Sequence, residues 1–161
     1  MECAGPDSKL YKPRGMSIDA ADNVYISDTG GCRIAKFDPS GKLIAEFGGR
    51  GSQAGQLLEP TDVAITSSGE MFVADSSNRR IQHWTATGVY LGEWPIPIAN
   101  AYYGPHIAVA ADATLLVTMP ELGQIWRYST TGEALAKWGG PELWRMPVEL
   151  AIEGGKMLYV V

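Results

Sequence analysis

The sequence contains no run of about 18 apolar residues, so it predicts no membrane-spanning helix. The N-terminus also lacks a basic stretch followed by an apolar one, the pattern of a signal peptide, and no compartment is indicated. Basic residues are in the minority, with 13 Lys and Arg against 18 Asp and Glu, which gives a net charge of −5. Because nucleic-acid binding needs positive charge to neutralise phosphates, this composition excludes it from the expected functions.

Cysteine and histidine are scarce, and the common catalytic motifs are missing. The two cysteines, Cys3 and Cys32, form no CxxC pair and no disulfide framework, so we expect two unpaired thiols. Nucleophile-elbow, P-loop, dinucleotide-binding and HExxH sequences are absent. We therefore predict no catalytic residue and no resident cofactor.

What the chain does have is an internal repeat with a period of 44 to 47 residues. The phrase NVYISDTGGCRIAKF at 23–37 returns as EMFVADSSNRRIQHW at 70–84 and, more loosely, as TLLVTMPELGQIWRY at 114–128. Such a period is the sequence signature of a repeat architecture. Four columns keep the same intervals: Ile34, Ile81 and Ile125; Phe37, Trp84 and Tyr128; Gly41, Gly88 and Gly132; and Phe47, Trp94 and Trp138.

Each repeat predicts four short β-strands. Apolar runs such as MSIDA open the repeats, and RIAKF, RIQHW and QIWRY alternate apolar and polar residues as half-buried strands do. The segments between them are rich in Gly, Asp, Asn and Ser, which suit tight turns, and no stretch has a sustained helical period. Four strands in about 40–50 residues is the pattern of a β-propeller blade. We expect the recurring aromatic residues to fill the spaces between blades.

Two stretches, PRGMSIDAADNVYISDTGGCRIAKFDPSGKLIAEFG and PTDVAITSSGEMFVADSSNRRIQHW, resemble NHL repeats, which have a proline-led first strand, a YVAD-like second and an NxRIQxF-like third. The resemblance covers residues 11–161 and implies an all-β fold of four-stranded antiparallel blades, part of a six-bladed ring. Because an incomplete ring leaves sheet faces bare, we expect continuation in a longer chain or a homo-oligomer. The predicted divisions are an inter-blade loop or the end of a preceding blade at 1–10, repeats at 11–57 and 58–102, a degenerate repeat at 103–144 and a truncated repeat at 145–161.

Two acidic residues recur at a fixed distance from an arginine. Asp28 precedes Arg33 by five residues, and Asp75 precedes Arg80 by the same interval. We predict ion pairs inside each blade, with the carboxylates also accepting loop amides. The third repeat has Met119 and Gln124 at these positions, a joint replacement that fits a pair acting as a unit. The alternative is a ring of acids around the channel.

In rings of this family the first strands begin at the channel mouth. The resemblance therefore implies that Arg14, Asp62, His106 and Glu149 approach one opening. A histidine between two carboxylates could hold a divalent ion, so Asp62, His106 and Glu149 are the candidate metal ligands, for zinc or calcium. The alternative is a polar, water-lined wall that binds no metal. Two tyrosines in PIPIANAYYGP, Tyr102 and Tyr103, are a candidate contact surface; the alternative is that they pack under the next blade.

Without catalytic groups, the sequence favours a non-enzymatic recognition or scaffold module that binds protein, peptide or carbohydrate ligands around the central channel. One alternative is a metal-dependent enzyme. Pro105-His106 resembles the proline–histidine step of amidating lyases that hold zinc with histidines, but the matching position two blades earlier is Arg14 and the chain has two histidines in all. A lactonase-like calcium site would draw on Asn100 and Asp112. A further alternative is an extracytoplasmic sensor or appendage of a larger membrane protein.

Overall fold

A computed structural model describes residues 9–99, 103–143, 147, 150–153 and 157–160 of the chain, with 151–153 and 157–160 described by their backbone alone. In the first blade, strands β1 (Pro13–Ile18), β2 (Val24–Asp28), β3 (Arg33–Phe37) and β4 (Leu43–Gly48) form one antiparallel sheet in the order β1-β2-β3-β4. Every strand pairs with its neighbour in sequence, so the sheet is built from hairpins alone.

The second and third blades repeat this sheet. Blade 2 contains β5 (Pro60–Ile65), β6 (Glu70–Asp75), β7 (Arg80–Thr85) and β8 (Tyr90–Pro95). Blade 3 contains β9 (Ile107–Val109), β10 (Leu115–Met119), β11 (Gln124–Tyr128) and β12 (Ala134–Gly139). A further hairpin pairs β13 (Leu150–Glu153) with β14 (Met157–Val160). The predicted all-β fold of four-stranded antiparallel blades is confirmed, whereas the six-bladed ring and the repeat limits stay predictions.

The tight turns between the second and third strands have the same backbone in all three blades. Short 3₁₀ turns occupy Thr29–Gly31, Ser76–Asn78 and Pro120–Leu122. Each is followed by a residue in the left-handed region, with φ of 53° at Cys32, 57° at Arg79 and 60° at Gly123. Only the third repeat has glycine there, the residue that tolerates this conformation without steric cost.

The hydrophobic core lies between blades rather than within them. One cluster joins blades 1 and 2 and contains Tyr25, Ile34, Leu57, Val63, Met71, Val73 and Trp84. A second joins blades 2 and 3 and includes Phe72, Ile81, Trp94, Ile107, Leu115, Val117, Met119 and Tyr128. Since each sheet is only four strands wide, it buries its faces by packing against its neighbours. Of the repeated aromatic residues, Phe37 is half-buried and Trp138 is exposed.

Cys32 corrects one expectation. It is buried and takes part in a disulfide bond, so the prediction of two unpaired thiols is wrong. The other cysteine in the sequence, Cys3, lies outside the described residues. Composition could not reveal this bond, because two isolated cysteines show no spacing pattern that marks a pair.

Candidate functional site

The acid–arginine pairs stand in equivalent places in blades 1 and 2. Arg33 Nε donates to Asp28 Oδ2 at 2.8 Å, and Arg80 Nε donates to Asp75 Oδ2 at 2.8 Å. Both carboxylates are fully buried. Their other oxygens accept backbone N–H groups of the preceding linker at 2.7 Å, from Tyr11 in blade 1 and from Leu58 in blade 2.

Each arginine of these pairs also donates hydrogen bonds to the linker before its blade. Besides its partner Asp75, Arg80 donates to Glu93 and to three linker carbonyls, those of Ser52, Gln53 and Gln56. Arg33 likewise donates to Glu46 and to the carbonyl of Lys9. These charges therefore fasten each blade to the linker before it, and both buried carboxylates accept hydrogen bonds from the protein itself.

Hydroxyl groups join successive blades near the starts of the first strands. Thr29 Oγ1 donates to the carbonyl of Pro60 at 2.6 Å. One blade further, Thr61 Oγ1 donates to the carbonyl of Pro105 at 3.0 Å and contacts Ser76 Oγ at 2.6 Å. The bond between Thr61 and Pro105 fixes the residues directly before Asp62 and His106, which form a candidate site. Sequence reasoning missed these bonds, although Thr29 and Ser76 occupy one column of the repeat.

Gly15, Asp62 and His106 lie together and are called the first-strand site below. Asp62 is buried, with Oδ1 accepting the N–H of Val63 at 2.9 Å and Oδ2 accepting the N–H of Ile107 at 2.8 Å. His106 Nδ1 lies 3.4 Å from Asp62 Oδ2. Because the carboxylate is fixed by two backbone groups, it can orient the imidazole ring beside it.

Gly15 supplies the third side of this site. A Cβ atom at this position would lie 2.0 Å from Asp62 Oδ1 and 2.7 Å from Asp62 Cα. The N–H of Gly15 donates to Ser27 Oγ at 2.7 Å, and the same hydroxyl donates to the carbonyl of Thr61 at 3.1 Å. Glycine is thus needed for the close approach of blade 1 to Asp62.

His106 is the exposed member of the first-strand site. Its backbone N–H donates to Thr118 Oγ1 at 2.8 Å and its carbonyl accepts the N–H of Thr118 at 3.0 Å, which ties it to β10. The side chain is 26% exposed. With Nδ1 beside Asp62, Nε2 is the ring nitrogen left for an outside group, since no hydrogen bond to it occurs within the described part of the chain.

Of the remaining predicted site residues, the structure describes Arg14, Tyr103 and Asp112. Arg14 and Tyr103 are exposed, and each has an interaction partner. Asp112 lies in an exposed turn and pairs with Arg127; a hydrogen bond from Thr114 lowers the pKa of its carboxyl below the ordinary value. Tyr102, Glu149 and Asn100 lie outside the described residues.

The described residues contain no cluster of metal ligands, and the predicted set of Asp62, His106 and Glu149 stays a prediction because Glu149 lies outside them. Over residues 9–99 and 103–143, and the short described pieces beyond, no three His, Cys, Asp or Glu side chains converge in a way that could hold an ion. The second histidine, His83, stacks on Phe72 with ring centroids 4.3 Å apart and contacts Glu70 within blade 2. A zinc site of several histidines therefore does not fit the described residues.

Successive four-stranded antiparallel sheets, packed face to face with their first strands adjacent, define the β-propeller class. A virginiamycin B lyase from Staphylococcus aureus superimposes with a TM-score of 0.74 at 22% identity, over 96% of this chain and 50% of that one. At that identity the likeness shows the fold alone. No helix in the described part of the chain is long and apolar enough to cross a membrane.

Within this class, the NHL repeat family profile matches residues 57–84, which run from the end of the linker before blade 2 into its third strand. Peptidyl-alpha-hydroxyglycine alpha-amidating lyase 2 of Drosophila melanogaster is 37% identical over 93 residues, 55% of this chain and 23% of that protein. Protein brain tumor of Drosophila melanogaster is 25% identical over 135 residues, 83% of this chain and 13% of that protein. Peptidylglycine alpha-amidating monooxygenase of Rattus norvegicus is 32% identical over 92 residues, which are 53% of this chain and 9% of that protein. The chain thus spans less than a quarter of these relatives.

Proposed function

We propose that this chain is a non-enzymatic recognition module, which binds a peptide segment at the first-strand site through His106. The observation that carries this proposal is the fixed carboxylate of Asp62, 3.4 Å from Nδ1 of a partly exposed imidazole. A side chain held in one orientation loses less conformational entropy on binding than a free one.

The chemistry of the site suits a polar group of a peptide. A proton on Nδ1 would face the Asp62 carboxylate, 3.4 Å away, and this tautomer leaves a lone pair on Nε2. That nitrogen can accept a backbone N–H of a ligand, and after protonation it can donate to a carboxylate. Asp62 itself already accepts two backbone N–H groups, so its part is to orient His106 rather than to contact the ligand.

The test is a peptide selection with a matched histidine control. Phage-displayed random 12-residue peptides are selected on immobilised protein, and the selected peptides are titrated against His106→Ala and His83→Ala. Because His83 is packed inside blade 2, His83→Ala should bind as the parent chain does, whereas His106→Ala should lose about tenfold in affinity, the worth of one hydrogen bond. Equal binding by both variants, or no peptide selected at all, would contradict the proposal.

The relatives favour a second candidate, a metal-dependent lyase. The 37% and 32% identities are to proteins whose names include an amidating activity, and Pro105-His106 resembles their proline–histidine step. Because the described residues supply no three convergent ligands, this candidate requires ligands from elsewhere. Metal analysis of the purified chain separates the two candidates. Zinc or calcium near one equivalent, lost in His106→Ala and kept in His83→Ala, would establish the metal site and count against pure recognition.

A further inference from the structure

The two backbone N–H groups on either side of the His106 Cα atom donate to side chains rather than to backbone carbonyls. The N–H of His106 donates to Thr118 Oγ1 at 2.8 Å, and the N–H of Ile107 donates to Asp62 Oδ2 at 2.8 Å. Both acceptors are buried, since Thr118 is 0% exposed and Asp62 is 5% exposed. The backbone that carries the imidazole ring is therefore fixed from two directions, by its own blade and by the preceding one.

The Thr118 hydroxyl changes the way in which β10 pairs with the residue before β9. In a regular antiparallel pair, two opposite residues exchange both of their N–H···O=C hydrogen bonds. Here the carbonyl of His106 accepts the N–H of Thr118 at 3.0 Å, but the N–H of His106 turns to the hydroxyl. The regular ladder begins one residue later, with Ile107 opposite Val117. Such a local departure from the ladder re-aims a side chain, as β-bulges beside functional sites do.

A hydroxyl does the same at the matching position of blade 1. Ser27 stands in the column of Thr118, and Gly15 stands in the column of His106. Ser27 Oγ accepts the N–H of Gly15 at 2.7 Å. Blade 2 has Ala74 in this column and therefore no hydroxyl. Since a serine makes this bond in blade 1, serine is the conservative replacement for the threonine of blade 3.

We propose that Thr118 is a positioning residue for ligand binding at the first-strand site, an inference that rests on the proposed function of that site. Because Thr118 is fully buried, its hydroxyl acts through the backbone of His106 and not by touching the ligand. Without this hydroxyl, the N–H of His106 either stays unpaired, which is costly away from water, or returns to the regular ladder. Either change moves the imidazole ring relative to Asp62 Oδ2, which lies 3.4 Å from Nδ1.

The experiment removes the hydroxyl and keeps the shape of the side chain. Peptides selected on the parent chain are titrated against Thr118→Val and Thr118→Ser. The dissociation constant should rise about fivefold in Thr118→Val, which corresponds to the loss of one hydrogen bond. It should stay within about twofold of the parent value in Thr118→Ser, because serine restores the acceptor.

Thr66 is the matched control, because its hydrogen bonds with Glu70 have the same pattern as those between Thr118 and His106. Thr66 Oγ1 accepts the N–H of Glu70 at 2.9 Å, and the N–H of Thr66 donates to the carbonyl of Glu70 at 2.9 Å. Thr66 is also buried, but it follows the end of β5, whereas Asp62 lies near the start of that strand. Thr66→Val should lower the melting temperature as much as Thr118→Val does and leave the peptide affinity within about twofold of the parent value.

The ring nitrogens of His106 give a second readout, which a loss of stability alone would not change. Nitrogen NMR spectra of the folded chain distinguish the two neutral tautomers of histidine, and the signals of His106 are those missing from His106→Ala. The parent chain should show the proton mainly on Nδ1, beside Asp62. Thr118→Val should show a mixture of tautomers, with the shifts of the two ring nitrogens closer together, and Thr118→Ser should match the parent.

Three results would overturn the inference and leave the proposed function standing: unchanged peptide affinity in Thr118→Val, an equal loss of affinity in Thr66→Val, or ring-nitrogen shifts that do not move. Peptides that bind His106→Ala as well as the parent would instead refute the proposed function, and the inference with it. If Thr118→Val does not fold, it is replaced by Thr118→Ser and Thr118→Ala, which differ by the hydroxyl alone. Equal peptide affinities of these two variants would likewise overturn the role of Thr118.

Discussion

Replacing Asp75 by methionine, the residue that the third repeat has in this column, tests how strongly the acid–arginine pairs hold the blades. Asp75 is fully buried and accepts four hydrogen bonds. They come from the N–H of Leu58 at 2.7 Å, Asn78 Nδ2 at 2.8 Å, Arg80 Nε at 2.8 Å and Gln82 Nε2 at 3.0 Å. Asp75→Met leaves all four donors without this acceptor.

The expected loss in the free energy of unfolding depends on the hydrogen-bond partners that Arg80 keeps. Removing one partner of a buried ion pair costs about 3–5 kcal/mol. Arg80 keeps Glu93 and three linker carbonyls, so the expected loss for Asp75→Met is near the lower end, about 3 kcal/mol. Arg80→Gln leaves a buried carboxylate with three of its donors, and we expect it to cost about 2–3 kcal/mol.

The double variant tests whether Asp75 and Arg80 act as a unit. In blade 3 the same two positions hold Met119, which is buried in the core cluster between blades, and Gln124. The pair can therefore be lost together, and Asp75→Met/Arg80→Gln should cost about 3 kcal/mol, about 2–3 kcal/mol less than the sum of the single changes. Urea unfolding followed by tryptophan fluorescence measures all three variants.

The control is an exposed acid with an arginine partner. Asp112→Met removes the exposed pair with Arg127 and should leave the urea midpoint nearly unchanged, because solvent screens this pair. Additive single effects in the Asp75/Arg80 cycle, within about 0.5 kcal/mol, would show that the two residues do not act as a unit. A stabilising Asp75→Met would refute the buried pair as a support of the blade.

Three further predictions concern single positions. Gly15→Ala should destabilise the chain by about 1–3 kcal/mol in thermal unfolding, because its Cβ overlaps Asp62, whereas Gly92→Ala, with open space around it, should change little. Ala113→Gly should raise the melting temperature by about 2 °C, since φ there is 64° and left-handed backbone costs an alanine about 1 kcal/mol; a decrease would mean that the turn is not strained. Burial raises the pKa of Asp19, but hydrogen bonds from Asn23, Ala21 and Lys36 outweigh it and lower this pKa from 3.8 to about 2. The stabilisation by Asp19 is therefore present above about pH 4 and lost as the pH falls toward 2, and Asp19→Asn should unfold with less acid dependence over that range; identical acid transitions would contradict this.

The fold could be predicted from the sequence because its signals are local. Strand alternation, turn residues and a fixed repeat length are all read within one blade, and the blades are built from hairpins between neighbouring strands. What the sequence did not indicate depends on contacts between blades and with linkers. Cys32 is one such case, since no spacing pattern in the sequence indicates its disulfide bond.

The candidate site was predicted only in part for the same reason. The family resemblance brought Asp62 and His106 to one opening, and the structure places them 3.4 Å apart. It could not show that Asp62 accepts the N–H of Ile107 from the next blade, which makes it a positioning residue. Nor could it show that Gly15 is held against Asp62, because glycine in a strand has several explanations and only the neighbouring blade selects one.

At both described junctions an aromatic ring of one blade lies against a turn glycine of the next blade, Phe47 against Gly88 and Trp94 against Gly132. This contact also bears on how the chain folds during synthesis. The ring of Phe47 is covered only after Gly88, 41 residues later, has been synthesised. The ring of Trp94 is covered only after Gly132, 38 residues later, has been synthesised. These separations are short for an all-β protein, so each junction closes as soon as one more blade has left the ribosome. A growing chain of this kind always carries one apolar face that is not yet covered, and the rate of synthesis sets how long that face is exposed to other chains.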